Sequence, residues 1–163
     1  MTYAVPKCRL IPCLWFDHQG EEAANFYVSL LPDSRIDHIT RAPDDYPGGK
    51  AGQALEIQFT LAGQPYSALN GGPYFTFTEA VSLQVICDDQ AELDRLYAAL
   101  SVVPEAEQCG WLKDKYGLSW QLIPRSMPVM LSDPDPEKAK RVFHAMMEMK
   151  RLDIAALEAA YAG

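Results

Sequence analysis

Apolar and polar positions follow two periods along the chain, near two and near 3.6, and the switches between them predict its elements. "LIPCLWF", Leu10 to Phe16, is a short continuous apolar run, as expected of a strand covered on both faces. "GEEAANFYVSLLPDS" then sets Ala23, Phe26, Tyr27 and Leu30 on one helical face and stops near Pro32. A short strand is expected near Arg35 to Arg41, followed by a loop rich in Pro, Gly and Asp over 42–53. Beyond it Leu55, Ile57, Phe59 and Leu61 alternate with Glu56, Gln58 and Thr60, the pattern of a half-buried strand, which turns back at Ala62-Gly63 as a hairpin.

The pattern then restarts. "AVSLQVICDDQAELDRLYAAL" repeats strand, loop and helix, and a shift of 70 residues carries Phe26 onto Leu96, Tyr27 onto Tyr97 and Leu30 onto Leu100. A short strand near Glu105 to Lys113 and a hairpin through Asp114-Lys115-Tyr116-Gly117 complete it, with Gly117 matching Gly63. The organisation expected is one domain over 1–163, built of two β-α-β-β-β modules at 8–72 and 78–124 with an appended helical tail at 127–162. In the tail, Asp133 or Asp135 can cap a helix that has Pro136 in its first turn. Val142, Phe143, Met146 and Met149 form one face, and Ile154, Leu157 and Tyr161 continue it, as core or dimer contact.

Composition narrows the function classes. The chain has 163 residues with 48% hydrophobic content, which suits one compact domain. Its 22 acidic and 14 basic residues leave a net charge of −8, which repels phosphate backbones and anionic lipid, so neither nucleic acid nor a membrane surface is an expected partner. A neutral or cationic small molecule is easier to accommodate. No leader pattern and no 18-residue apolar span is read, which predicts a soluble, cytoplasmic protein. Cys8, Cys13, Cys87 and Cys109 form no C-x-x-C pair and read as free thiols rather than as zinc ligands or bridges.

"PCLWFD", "EEAANFYVSLLPDSRI", "FTLAGQPYSALNGGP", "CGWLKDKYGLSWQLIP" and "DPDPEKAKRVFHAMMEMKRLDIAALEAAYAG" together resemble the PhnB-like group. Members of that group often carry the label 3-demethylubiquinone-9 3-methyltransferase-like and belong to the vicinal-oxygen-chelate, or glyoxalase/bleomycin-resistance, superfamily. The resemblance implies an α+β fold in which the paired modules form a curled mixed sheet around a cavity, usually in a homodimer. Metal enzymes of that superfamily use His, Glu or Gln from first and last strands. Matching landmarks puts Pro12, Ser67, Ala80 and Gln121 at those positions, three of which cannot serve as ordinary ligands. None of His18, His38 and His144 is expected on a strand facing the cavity, and His144 with Glu148 reads as a solvated pair on one helix face. The expectation is therefore a site without metal or cofactor. No Gly-rich turn between strand and helix is present to receive a nucleoside cofactor, which leaves the methyltransferase label without a recognisable motif.

Strand parity supplies the candidate lining. Ile57, Phe59, Leu83, Val85, Trp120 and Leu122 share the parity expected to face the helices, leaving Glu56, Gln58, Ser82, Gln84, Ser119 and Gln121 on the other. With Leu14 and Phe16 as apolar walls, Ser67 from the superfamily position and Trp111 from the hairpin, the ligand-binding candidates are Leu14, Phe16, Glu56, Gln58, Ser67, Gln84, Trp111 and Gln121. Cys109, two residues before Trp111 and four before Lys113, is the one nucleophile candidate. A lysine beside it would favour a reactive thiolate, whereas a thiol without a nearby base is a packing group. Asp114 and Lys115 can gate a cavity or simply make the turn. Small-molecule binding is the leading expectation. An isomerase, lyase or group-transfer enzyme with an atypical site is the alternative, and a protein-interaction module is a third.

Overall fold

A computed structural model describes residues 7–163, and the chain divides into two compact units, Met1–Thr76 and Phe77–Gly163. Each carries one small mixed sheet, neither of them closed, and the second also carries the C-terminal helices, giving an α+β fold.

The first unit runs β1 (Cys13–Phe16), α1 (Gly20–Val28), β2 (Arg35–Arg41), β3 (Ala54–Leu61) and β4 (Gln64–Asn70). Its sheet has the order β1-β4-β3-β2, with β1 parallel to β4 and the other pairs antiparallel. Register aligns Leu14, Ala68 and Ile57 across three strands, so they share one face. Helix α1 buries Ala23, Ala24 and Tyr27 and lies close to that face at Gly20. A side-chain carbon at Gly20 would sit 2.7 Å from Asn70 Oδ1, and the Gly20 N–H instead donates to that oxygen at 2.7 Å. The Asn70 amide closes the arrangement by donating to the Ala54 carbonyl at 2.9 Å. The Ala62-Gly63 hairpin forms with both residues at positive φ, 48° and 78°. The first strand starts later than its apolar run: Leu10 is 80% exposed and pairing begins at Cys13, just after a proline that has no N–H to give.

The second unit runs β5 (Ser82–Cys87), α2 (Gln90–Leu100), a 3-10 turn (Pro104–Ala106), β6 (Trp111–Lys113), β7 (Ser119–Pro124), α3 (Ser126–Leu131), α4 (Pro136–Met147) and α5 (Ile154–Ala162). Its sheet has the order β5-β7-β6, with β5 parallel and β6 antiparallel to β7. Helix α2 buries Leu93, Leu96 and Leu100, while Leu112, Trp120 and Leu122 are the buried residues of one sheet face. The two units are therefore not identical repeats. Where the first has β2, the second has the 3-10 turn and a two-residue turn at Cys109-Gly110, both at positive φ, joined by a bridge between Gln108 and Trp111. Pro104 and this turn interrupt the strand expected from Glu105 to Lys113, which shrinks to Trp111–Lys113.

In the tail, Asp135 caps α4 by accepting from the Glu137 N–H, and Asp153 caps α5 by accepting from the Ala156 N–H. The expected methionine stripe narrows to Val142, the buried residue of α4; Phe143 and Met147 are exposed and Met149 lies beyond the helix end. Among the described residues no helix is long and apolar enough to cross a membrane.

Candidate functional site

Each unit has a polar sheet face opposite its main helix. In the first, register forms one row of Cys13, Ser67, Gln58 and His38 and another of Trp15, Leu69, Glu56 and Thr40. Glu56, Gln58 and Ser67 therefore meet, with Gln58 and Ser67 buried. Leu14 and Phe16 do not join them: their parity sets them on the helix-covered face, where both are buried, and Trp15 takes the place expected for them. All four residues of "CLWF" are apolar, so alternation held no information about which pair turns which way, and register alone settles it. Trp15 is well fixed. Its Nε1 donates to the Gly72 carbonyl at 2.9 Å, Phe75 meets its ring edge-on at 4.9 Å, and a side-chain carbon at Gly71 would lie 2.2 Å from the ring.

His38 corrects a second expectation. It lies within β2, opposite Gln58 on the polar face, because the strand is irregular between Ile36 and His38 and the extra residue, Asp37, shifts the parity. Asp37 accepts from the Thr60 hydroxyl at 2.6 Å and from Arg35 Nε at 2.7 Å.

The second unit arranges Gln84, Gln121 and Trp111 in one row and Ser82, Ser119 and Lys113 in the next. Gln121 links them: its Nε2 donates to Ser82 Oγ at 2.8 Å and its Oε1 accepts from Gln84 Nε2 at 3.1 Å. Lys113 Nζ donates to Glu79, and that bond holds the Glu79 carboxyl below its usual range. Along β6 lies a cavity of about 400 Å³ whose lining includes Glu79, Glu105, Gln108, Trp111 and Ser119. Ser119 is 1% exposed and its Oγ has no hydrogen-bond partner. Sequence parity had set Ser119 on this face, but its lack of a partner, and the presence of Glu79 and Glu105, depend on long-range packing.

Asp114 belongs to the turn. It is 1% exposed, its Oδ1 accepts from the N–H groups of Tyr116 and Leu118 at 2.8 and 3.1 Å, and its Oδ2 accepts from Trp120 Nε1 at 2.8 Å. Lys115 lies over the Tyr116 ring, 4.9 Å from its centroid. Cys109 is set in the Cys109-Gly110 turn rather than on a strand with Lys113. Its N–H donates to the Met149 carbonyl at 2.8 Å, and its Sγ lies 3.3 Å from Gln108 Nε2 and 3.6 Å from Met147 Sδ. Lys113 is directed to Glu79, so the lysine–thiol pairing that would activate Cys109 does not form.

The residues do not fit a divalent ion at the superfamily positions. Pro12 and Ala80 offer no side-chain donor, and the Gln121 amide is bonded to Ser82 and Gln84. Among the described residues no three His, Cys, Asp or Glu side chains are grouped as ligands. A nucleoside cofactor at a strand-to-helix turn fits no better. The first N–H of α1 is taken by Asn70, and at α2 the Glu92 N–H is taken by Asp89 and the Asp88 N–H by Glu92.

Comparison with known proteins supplies the context of these faces. The family model described as 3-demethylubiquinone-9 3-methyltransferase matches residues 8–123. A PhnB protein from Bacillus cereus that carries the same description is 36% identical, covering 72% of this chain and 99% of its own, with a TM-score of 0.61. A structure from Pseudomonas aeruginosa at 18% identity, covering 72% of this chain and 98% of its own, shares the fold with a TM-score of 0.57. No curated protein matches the chain. The family match runs from before β1 to Ile123 within β7, and on that match and the Bacillus cereus relative the chain belongs to the PhnB-like, 3-demethylubiquinone-9 3-methyltransferase family.

Proposed function

We propose that the protein binds a small neutral or cationic organic molecule on its polar sheet faces, through hydrogen bonds and stacking and without a metal ion. The observation that carries this reading is the row Gln84, Gln121 and Trp111, in which neutral amides joined to one another and to Ser82 stand next to an indole. Amides offer both donors and acceptors, and an aromatic wall adds stacking area, the mixture on which small-molecule sites are built. Glu56, Gln58 and Ser67 give the first unit a similar polar face, with Trp15 as its aromatic member. The Gln121 side chain neither gains nor loses a proton, which favours binding over acid–base chemistry, and the bonds to Ser82 and Gln84 engage one N–H and one oxygen lone pair, leaving one of each for a ligand.

The same reading places the protein in the cytoplasm, in keeping with four free cysteines, and pairs it with a second copy of itself. The test is a calorimetric titration of a compound extracted from the purified protein against wild type and Gln121→Leu. Leucine keeps the volume but removes the amide, so affinity is expected to fall by about tenfold or more. Unchanged affinity contradicts the proposal.

A further inference from the structure

We infer that the cavity along β6 is a site for a monovalent organic cation, an ammonium compound with an aromatic or apolar body. Glu105 is its counter-charge, Trp111 its stacking wall and the Ser119 hydroxyl its buried hydrogen-bond partner, with Glu79 on the wall already paired to Lys113. This narrows the neutral-or-cationic reading above and rests on it. Three independent features of the second unit converge on it.

The first is charge. Two carboxylates line the cavity and one ammonium, that of Lys113, reaches it by pairing with Glu79. Glu105 has no ion-pair partner among the described residues, so the lining carries one uncompensated negative charge. A monocation neutralises it, and an anion would add to it. The net charge of −8 over the whole chain steers approaching cations in the same sense.

The second is the buried hydroxyl. Oxygen atoms as enclosed as Ser119 Oγ nearly always have a partner, and this one has none. Ser119 stands opposite Lys113 in the β6–β7 pairing, on the same face as Trp111 and Gln121, so its side chain points to the cavity side of the sheet. Lys113 shows that a primary ammonium is already held on this face by Glu79. The third is Trp111, half-buried and on the wall, whose π face attracts cations in addition to the apolar area that it offers.

The experiment is an NMR titration of the isotope-labelled full chain at neutral pH with three compounds that share one ring and differ in charge: benzylammonium, benzyl alcohol and benzoate. Benzylammonium is expected to shift the Trp111 indole N–H and the amides of Ser119 and Gln108, and to bind about tenfold more tightly than benzyl alcohol, with benzoate weakest. Glu105→Gln, an exposed change that leaves the fold alone, is expected to remove most of that cation preference without altering benzyl alcohol binding. Ser119→Ala is expected to weaken benzylammonium severalfold. If benzyl alcohol binds as tightly as benzylammonium, or Glu105→Gln changes nothing, cation recognition is overturned while the small-molecule reading survives. If benzoate is preferred, or no compound shifts a cavity residue, the inference is overturned outright.

Discussion

The buried Asp114 carboxylate collects two backbone N–H groups and the Trp120 indole N–H within the turn that closes the last hairpin. Asp114→Ala leaves these three donors enclosed without their acceptor. It is expected to cost roughly 3 kcal/mol, measured by denaturant unfolding, with Asp114→Asn recovering part of the loss. At this scale the sequence was partly legible. Asp-Lys-Tyr-Gly read correctly as a hairpin connection, since Gly117 has the positive φ that the turn demands. The bond between Asp114 and Trp120 was not legible, because a turn aspartate has the same local pattern whether or not an indole reaches it. Ser119 repeats the lesson: its parity could be read, but an unpaired hydroxyl is a property of everything packed around it.

Among the elements, helices were the easiest to read and strand faces the hardest. The period near 3.6 located α1 and α2, and the Asp-Pro-Asp-Pro run from Asp133 to Pro136 limited the α4 cap to two aspartates. The structure chooses Asp135 and gives Asp133 other work, accepting from the Asp135 N–H at 2.8 Å and from the Tyr161 hydroxyl. Asp135→Ala is expected to destabilise the protein by about 1 kcal/mol, seen as a lower unfolding midpoint with an unchanged denaturant slope. Strand parity succeeded on β3, β5 and β7, where polar and apolar residues alternate, and Glu56, Gln58, Gln84 and Gln121 are on the faces expected. It failed on β1, which has no polar residue to break the symmetry and so left Leu14 and Phe16 on the wrong face. His38, not expected on a strand facing the cavity, reaches the polar face because a one-residue irregularity in β2 sets it opposite Gln58, and no residue pattern marks that irregularity.

At the scale of the whole molecule, ionisation limits stability on both sides of neutrality. Hydrogen bonds from Gln90 hold Asp94 low, the Tyr161 hydroxyl holds Asp133 low, and the Ser101 hydroxyl holds Glu107 low. A depressed carboxylate contributes stability above its unfolded value and loses it as pH falls, so acid should weaken the fold below about pH 4.5. Burial pushes Cys87 and Tyr97 up to about 12. These groups keep their protons in the folded chain after the unfolded chain has released them, so stability present at neutrality declines as pH rises from about 9 towards 12. A pH series of unfolding midpoints should therefore show a plateau between these limbs; an alkaline limb that stays flat would contradict the assignment of Cys87 and Tyr97.

The repeat of strand, helix and hairpin was visible along the chain, but the loss of one strand from the second unit was not, since apolar matches on two helices carry no information about the strands that come after them. The polar rows that result hold no grouped metal ligands among the described residues, and the account rests on their binding an organic molecule instead. Native mass spectrometry of freshly purified protein, prepared without chelator and compared with its denatured mass, tests this most directly. The account predicts a non-covalent organic increment that is lost on denaturation, on a particle of two subunits. A bare protein mass, or an increment equal to a stoichiometric divalent ion, would contradict it.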